Sequence, residues 1–451
     1  MSQQTEPSGD SYHWRASKAP EQPYRHAYHL ALVDKIFLCR KPNPQTGDPA
    51  QVLCTFTDVL DRIRVIDALT RGIPKIMYLV GWQFQGHDSK YPSWSEVNDL
   101  LKRPEDASAR DSLLWLMEEA RQYHTTVSVH INMNDAYENS PDWPEYSRLG
   151  LIEHPGGVWD GEQSYLVHHT REWAAGLAQR RIDGLLALLP LSDAGTVHID
   201  AFWVVGDDQE EELATMRKIV RYWRDRGVDV TGEGLTGTDF DHGLIGLVPM
   251  VWHLNVAVWQ REGELRAEHC LDLPASLFCG GVDHSPLALL TGTSMQGEGI
   301  PNDQLDRYLS AFCLGTLPWQ YLNHHQRLSI DRDSDADVLH LSGGLVSSVR
   351  SGRPLIHHGD VILRDGDDVF VPALWQAEPE IIAFSAAGYE RRRWTLPPSW
   401  RSFPALIVRE ITTSGLGEPG TASVNEGSIE LTLKAGQAVS LAPAAAVMLK
   451  V

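Results

Sequence analysis

Residues 196–202, Thr-Val-His-Ile-Asp-Ala-Phe, and residues 228–234, Val-Asp-Val-Thr-Gly-Glu-Gly, are two short β-branched runs separated by a stretch of helical spacing, about Glu210 to Arg226. Strand, helix and strand at this spacing make a parallel pair joined by a crossover helix. Side chains two apart on a strand share a face, so His198, Asp200 and Phe202 point one way in the first run. The same count puts Asp229, Thr231 and Glu233 together in the second, with Gly232 and Gly234 allowing close approach around Glu233. Two adjacent strands therefore each end on a carboxyl.

The unit recurs upstream. Val59, Leu60, Ile63, Val65, Ile66 and Leu69 predict a helix closed by Gly72 and Pro74, and Ile76 to Val80 reads as the buried strand after it. Leu113, Leu114, Leu116, Met117, Ala120 and Tyr123 predict another helix, followed by a strand from Thr126 to Ile131 with His130 and Asn132 at its end. A helix from about Glu172 to Leu189 leads into residue 196. Sustained alternation means an α/β fold with a parallel sheet, and a (β/α)8 TIM-like barrel is the expectation. An open nucleotide-binding sheet would carry a glycine-rich phosphate loop after its first strand, whereas Gly81-Trp82-Gln83-Phe84-Gln85-Gly86 puts bulky aromatics there.

Beyond about Leu345 the texture changes to short alternating segments, Asp360–Leu363, Asp368–Pro372, Ile381–Ser385 and Ser428–Leu433, with Gly and Asp turns between them. This predicts a C-terminal antiparallel β-sandwich, with Val439 to Val451 as edge strands turning at Pro443. The expected domains are a partly disordered N-terminal lead-in at 1–55, the barrel at 56–344 and the sandwich at 345–451.

Composition removes several classes of function. The 451 residues carry 60 acidic and 39 basic side chains, a formal charge of −21, which repels phosphate backbones and anionic lipid, so nucleic acid is excluded as a partner. No apolar run approaches bilayer-spanning length, which excludes a helical membrane protein. Met1 to Pro20 has neither a cationic start nor an apolar core, so a cytoplasmic location is expected. Cys39, Cys54, Cys270, Cys279 and Cys313 are odd in number and scattered, as reduced buried thiols are. Oligomeric state leaves no mark on the sequence.

The strand-end polar clusters carry the chemistry. Neighbouring strands lie about 4.8 Å apart, close to the roughly 5 Å carboxyl separation of retaining glycosidases. Asp200 then reads as nucleophile and Glu233 as general acid/base; the alternative is that both only cap strand ends. Gly81 to Tyr91 mixes flat aromatics with donors and acceptors, the combination a pyranose needs, so Trp82, His87 and Asp88 are candidates for a sugar cleft or, equally, an ordered loop. His130, Asn132 and His198 join them by their strand-end positions. Trp319-Gln320-Tyr321-Leu322-Asn323-His324-His325 is expected to close the site from a late barrel strand, with Asn323 facing the ligand. No metal or cofactor is expected, since His198 and Asp200 have no third ligand at metal-site spacing, and Asp207, Asp208, Asp239 and Asp241 read as solvated.

At these residues the chain resembles the catalytic region of glycoside hydrolase family 101, the endo-α-N-acetylgalactosaminidases. Gly86-His87-Asp88-Ser89 with Tyr91-Pro92, and Val129-His130-Ile131-Asn132 with Ala136-Tyr137, are similar to its first strand-end motifs. His198-Ile199-Asp200 resembles its nucleophile strand and Thr231-Gly232-Glu233-Gly234 its acid/base segment, although Gly234 stands where the family usually has an aromatic residue. Leu317-Pro318 with Tyr321-Leu322, and Trp394-Thr395-Leu396-Pro397 with Ser399-Trp400, extend the likeness across the following β domain. The resemblance covers about residues 56–451 and implies a retaining mechanism on α-linked galactosaminides. Family members are large, secreted enzymes of mucin-type glycoproteins, so this compact chain is expected to act on smaller α-galactosaminides or α-galactosides. A barrel that binds carbohydrate without cleaving it is the competing expectation.

Overall fold

The computed structural model describes residues 23–232, 247–250, 286–298, 304–332 and 335–444. Its first half is built on six parallel strands: β1 (Leu32–Phe37), β2 (Lys75–Val80), β3 (Thr125–Asn132), β4 (Thr196–Asp200), β5 (Asp229–Gly232) and β6 (Met295–Glu298). They hydrogen-bond in the order β5-β4-β3-β2-β1-β6, so the last described strand returns to pair with the first. Helices α1 (Phe56–Leu69), α2 (Ala109–Glu119), α3 (Leu177–Leu188) and α4 (Gln209–Arg224) connect the strands.

Local chemistry sets these elements. Helix α1 starts with a capping box, in which the Asp58 backbone N–H donates to the Thr55 hydroxyl and the Thr55 N–H donates to the Asp58 carboxylate. Its Phe56, Val59, Leu60, Ile63, Ile66 and Leu69 are buried, the i, i+3, i+4, i+7 stripe the sequence predicts. The expected helix 172–189 is instead two, His169–Ala174 and Leu177–Leu188, because Gly176 takes a left-handed φ of 75° between them. Strand β4 stops at Asp200 rather than Phe202, as Ala201 turns to a φ of 45°.

One face of the sheet packs on the helices through Leu79, Val129, Ile131, Val197, Ile199 and Val230, all in the main core. The antiparallel half begins at Arg327, runs to Pro443 and forms one continuous 13-stranded sheet among the described residues. Strands Asp368–Pro372 and Ile381–Ser385 are buried on both sides. Val369, Val371, Ile382 and Phe384 join the main core, while Phe370, Ile381 and Ala383 join a second core with Trp394, Ile429 and Leu431. The expected sandwich is thus a single sheet that packs on itself and against the parallel half. Arg71 ties the halves, donating to both carboxylate oxygens of Glu380 at 2.7 and 3.0 Å.

Four expectations are corrected. β1 lies inside the stretch expected to be lead-in, yet it pairs on both sides; that call's disordered start, 1–22, lies outside the described residues. The antiparallel sheet starts before residue 345. Gln437–Pro443 sits between Ile381–Ser385 and Ala405–Thr412, so it is an interior strand, and 445–451 lie outside the described residues. Leu317–Leu322 is a helix, with Trp319 packed beside Tyr28, Val33 and Tyr78. The hairpin Ile152–Trp159 with Glu162–Val167, which joins Asp135–Ala136, is absent from the sequence reading. Among the described residues no helix is long and apolar enough to cross a membrane, and Cys39, Cys54 and Cys313 are buried free thiols.

Candidate active site

The second face of the parallel sheet is polar. Register pairs Lys35 with Tyr78 and Tyr78 with Ser128 in one row, and His130 with His198 and His198 with Thr231 in the next. The row above pairs Asn132 with Asp200 at the carboxyl ends of β3 and β4. Lys35, Tyr78, Ser128, His130, His198 and Thr231 are all buried, and a buried polar group is costly unless it is satisfied. The Tyr28 and Tyr78 hydroxyls meet Thr196 Oγ1 at 2.8 and 2.6 Å, Ser128 Oγ donates to the Thr196 carbonyl at 2.6 Å, and Thr231 Oγ1 lies 2.8 Å from His198 Nδ1.

On this floor the rings of Tyr78, His198, His130 and His87 follow one another, with centroids 5.0, 5.4 and 5.5 Å apart. They lead to Asp200. His130 Nε2 stands 3.3 Å and His87 Nε2 3.8 Å from Asp200 Oδ2, and the Asp200 side chain keeps 16% exposure. Burial by itself would raise the Asp200 carboxyl, but His130, His87 and the Lys35 ammonium outweigh it and hold the group well below the usual carboxylate range. Burial pushes His130 down to about 4, against the upward pull of the Asp200 charge. For His87 burial works downward, yet the Asp88 and Asp200 charges prevail and raise it. Asp88 is raised, by burial first and by Asp200 as well. An exposed edge on a fully ionised carboxylate at a strand's carboxyl end is what a nucleophile requires.

The structure sorts the sequence-derived candidates. His87, Asp88, His130, His198 and Asp200 come together at one end of the sheet. Asp88 takes a φ of 55° and its Oδ1, 3.5 Å from His87 Nε2, is buried with no hydrogen-bond partner among the described residues. Trp82 is fully buried and braces the floor by donating Nε1–H to the His130 carbonyl at 2.9 Å, so the position offers no face for stacking on a sugar. The Asn132 side chain is spent on the turn after β3: Oδ1 accepts from the Asn134 and Asp135 N–H groups, both at 2.8 Å, and Nδ2 donates to Asp135. It positions the loop. Asn323 is at the opposite end, donating to the His29 carbonyl just before β1 and accepting from Arg327; its helix precedes the antiparallel sheet and does not deliver it to the site. Glu233 lies outside the described residues and follows directly on Gly232, the last residue of β5. Asp239 and Asp241 are also outside them, and Asp208 accepts from the Glu211 N–H as the N-cap of α4.

Two lysines escaped the sequence reading. Lys35 is in the strand assigned to the lead-in. Lys41, buried in the turn-rich segment after it, donates to the Asp88 carbonyl at 3.1 Å and to Glu162 at 3.0 Å, with Nζ 3.9 Å from the Tyr137 ring centroid. Period-two alternation of Lys35 with Val33 and Phe37 was a signal for the first; the partner 121 residues away gave none for the second. The expectation that Asp200 lacks further metal-type ligands also changes, because His87, His130 and Asp200 place one ligand atom each within 4.8 Å of one another.

The family model described as endo-alpha-N-acetylgalactosaminidase matches residues 49–242. A Renibacterium salmoninarum protein provisionally named an endo-alpha-N-acetylgalactosaminidase is 23% identical over 427 residues, 88% of this chain and 26% of its own length. The chain therefore spans about a quarter of that relative. Among solved structures, the alpha-N-acetylgalactosaminidase NagBb of Bifidobacterium bifidum in its Gal-NHAc-DNJ complex superposes with a TM-score of 0.53 at 11% identity, covering 78% of this chain and 61% of that one. Its ligand-free form gives 0.51 at 10% identity, covering 76% and 58%; these likenesses speak for the fold. The segment that carries β2 to β5 and Asp200 is thus similar to the endo-α-N-acetylgalactosaminidase family of glycoside hydrolases.

Proposed function

We propose that this protein is a retaining glycoside hydrolase of α-linked galactosaminides or galactosides, with Asp200 as nucleophile and Glu233 as general acid/base. The observation that carries this is the Asp200 carboxylate, held ionised and partly exposed by His130 and His87 at the carboxyl end of β4. Asp200 attacks the anomeric carbon while the Glu233 carboxyl protonates the departing oxygen; the resulting glycosyl ester is then hydrolysed by water that gives its proton to Glu233. Support for Glu233 comes from its place one residue beyond β5, the strand paired with that of Asp200. Asp88 and His87 hold sugar hydroxyls; support for Asp88 is that its Oδ1 has no hydrogen-bond partner among the described residues.

The scaffold we infer is a (β/α)8 barrel. Its support is the sequential order β1 to β5 with β6 returning to β1, because an open doubly wound sheet reverses direction at an internal switch point. Catalysis at the carboxyl ends of the strands follows from that architecture.

The test is hydrolysis of aryl α-N-acetylgalactosaminide, aryl α-galactoside and the aryl α-linked galactosyl-β-1,3-N-acetylgalactosamine disaccharide by wild type, Asp200→Asn and Glu233→Gln. Turnover by wild type that both variants lose supports the pair and names the sugar. Wild-type binding of these glycosides without turnover would sink the hydrolase in favour of a carbohydrate-binding barrel.

A further inference from the structure

His87, His130 and Asp200 reach one point from three separate loops and strands, and their donor set is unusual for a site that only holds hydroxyls. Two imidazoles and one carboxylate suit zinc, copper or nickel, whereas calcium and magnesium take oxygen ligands. Bonds of about 2.1 Å in a tetrahedral ion set ligand atoms roughly 3.4 Å apart. His130 Nε2 to Asp200 Oδ2 is 3.3 Å, His87 Nε2 to the same oxygen is 3.8 Å, and all three ligand atoms fall within 4.8 Å.

A second observation is independent of those distances. His130 is 2% exposed, and neither ring nitrogen completes a hydrogen bond among the described residues. A fully buried imidazole of this kind has a lone pair to offer. The His87 and Asp200 side chains retain 20% and 16% exposure, so an ion has an entry from the mouth of the site.

We propose that His87, His130 and Asp200 bind a divalent transition-metal ion of the zinc class, at which free metal competes with the sugar. Three protein ligands leave a fourth position for water or a substrate hydroxyl. An ion on Asp200 Oδ2 ties up the lone pair that attacks the anomeric carbon, so metal-bound protein is inactive. This competition rests on the hydrolase reading above; the binding itself does not. Among the described residues no carboxylate or carbonyl holds His130 Nδ1, and the expected affinity is accordingly micromolar rather than that of a structural zinc site.

The experiment titrates the full-length, metal-free protein with ZnCl2 by calorimetry and with CoCl2 by visible absorption, with CaCl2 as control, in wild type, His87→Gln and His130→Gln. One zinc per chain is expected, weakened by at least about tenfold in each variant, the lower end of what losing even a residue that only supports a ligand costs. Cobalt shows ligand-field bands that zinc displaces, and this readout needs only wild type should a variant fail to fold. Zinc heats unchanged in both folded variants, or no displaceable cobalt spectrum in wild type, overturn the proposal. Competitive inhibition by ZnCl2 of aryl glycoside turnover completes it. Zinc binding that depends on the histidines in a protein without glycosidase activity upholds the metal site and sinks the hydrolase reading; Asp200-dependent activity with no zinc binding does the reverse.

Discussion

Toward the helices the parallel sheet presents Leu79, Val129, Ile131, Val197, Ile199 and Val230; on its other face it presents Lys35, Tyr78, Ser128, His130, His198 and Thr231, just as thoroughly buried. The first set is what burial rewards, at roughly 1.5–3 kcal/mol for each large side chain. The second is what burial penalises; hydrogen bonds among its hydroxyls and to His198 Nδ1 offset part of that cost, and Asp200 stands on it. One strand thus does two jobs. Ile199 anchors β4 to the helices while its neighbours His198 and Asp200 face the site, so stability and chemistry alternate along five residues.

The most severe way to break that division is at neighbouring positions. Asp200→Asn is expected to lower kcat by roughly 10⁶-fold, the scale for a group acting as nucleophile, with stability in urea changed by no more than about 1 kcal/mol. Ile199→Ala should do the opposite, costing about 4 kcal/mol by urea unfolding with kcat of the folded protein intact. If Ile199→Ala abolishes turnover in protein that is still folded, the two faces are not separable.

Asp34 sharpens the comparison, since it is an acid on the helix-facing side. Burial raises its carboxyl to about 7, against the hydrogen bond donated by Tyr308 at 2.8 Å and the charge of Lys75. A raised acid keeps its proton in the folded state while the unfolded chain ionises near 3.8, so stability falls as pH rises through that window and the loss is complete above about pH 7. Asp34→Asn removes the slope: it should stabilise by about 4 kcal/mol at pH 8 and by almost nothing near pH 3. Equal effects at both pH values would show that Asp34 is not buried as an acid.

The smallest effect belongs to Thr231→Val. Thr231 Oγ1 lies 2.8 Å from His198 Nδ1, so the isosteric change removes that contact and should cost about 1–2 kcal/mol. On the helix-facing side a valine is already the native choice, at Val230. A neutral or stabilising result would mean that His198 is satisfied without Thr231.

Alternation made much of this legible. Strands Asp368–Pro372, Ile381–Ser385 and Ser428–Leu433 were readable to the residue, the apolar stripe of helix Phe56–Leu69 was readable though not its end, and the shared face of His198 and Asp200 followed from a period of two. Four things were not. β1 carries Asp34 and Lys35 at its centre, a pair of charges that dilutes the apolar run of a buried strand. Trp82 has the composition of a sugar platform, yet burial and the His130 carbonyl claim its ring, which sequence spacing cannot foretell. Asn323 sits in a polar cluster like those at strand ends, but it ends a helix at the amino-terminal side of β1. The convergence of His87, His130 and Asp200 depends on strand register, and no local motif encodes that.

The most direct measurement is covalent trapping. Wild-type protein is incubated with a ring-fluorinated α-galactosaminyl or α-galactosyl fluoride, which forms the glycosyl ester faster than water removes it, then digested and mapped by mass spectrometry. The account predicts one glycosyl unit on the peptide from β4, carried by Asp200. A label on any other carboxylate, or turnover of the unmodified glycosides with no label anywhere, contradicts it.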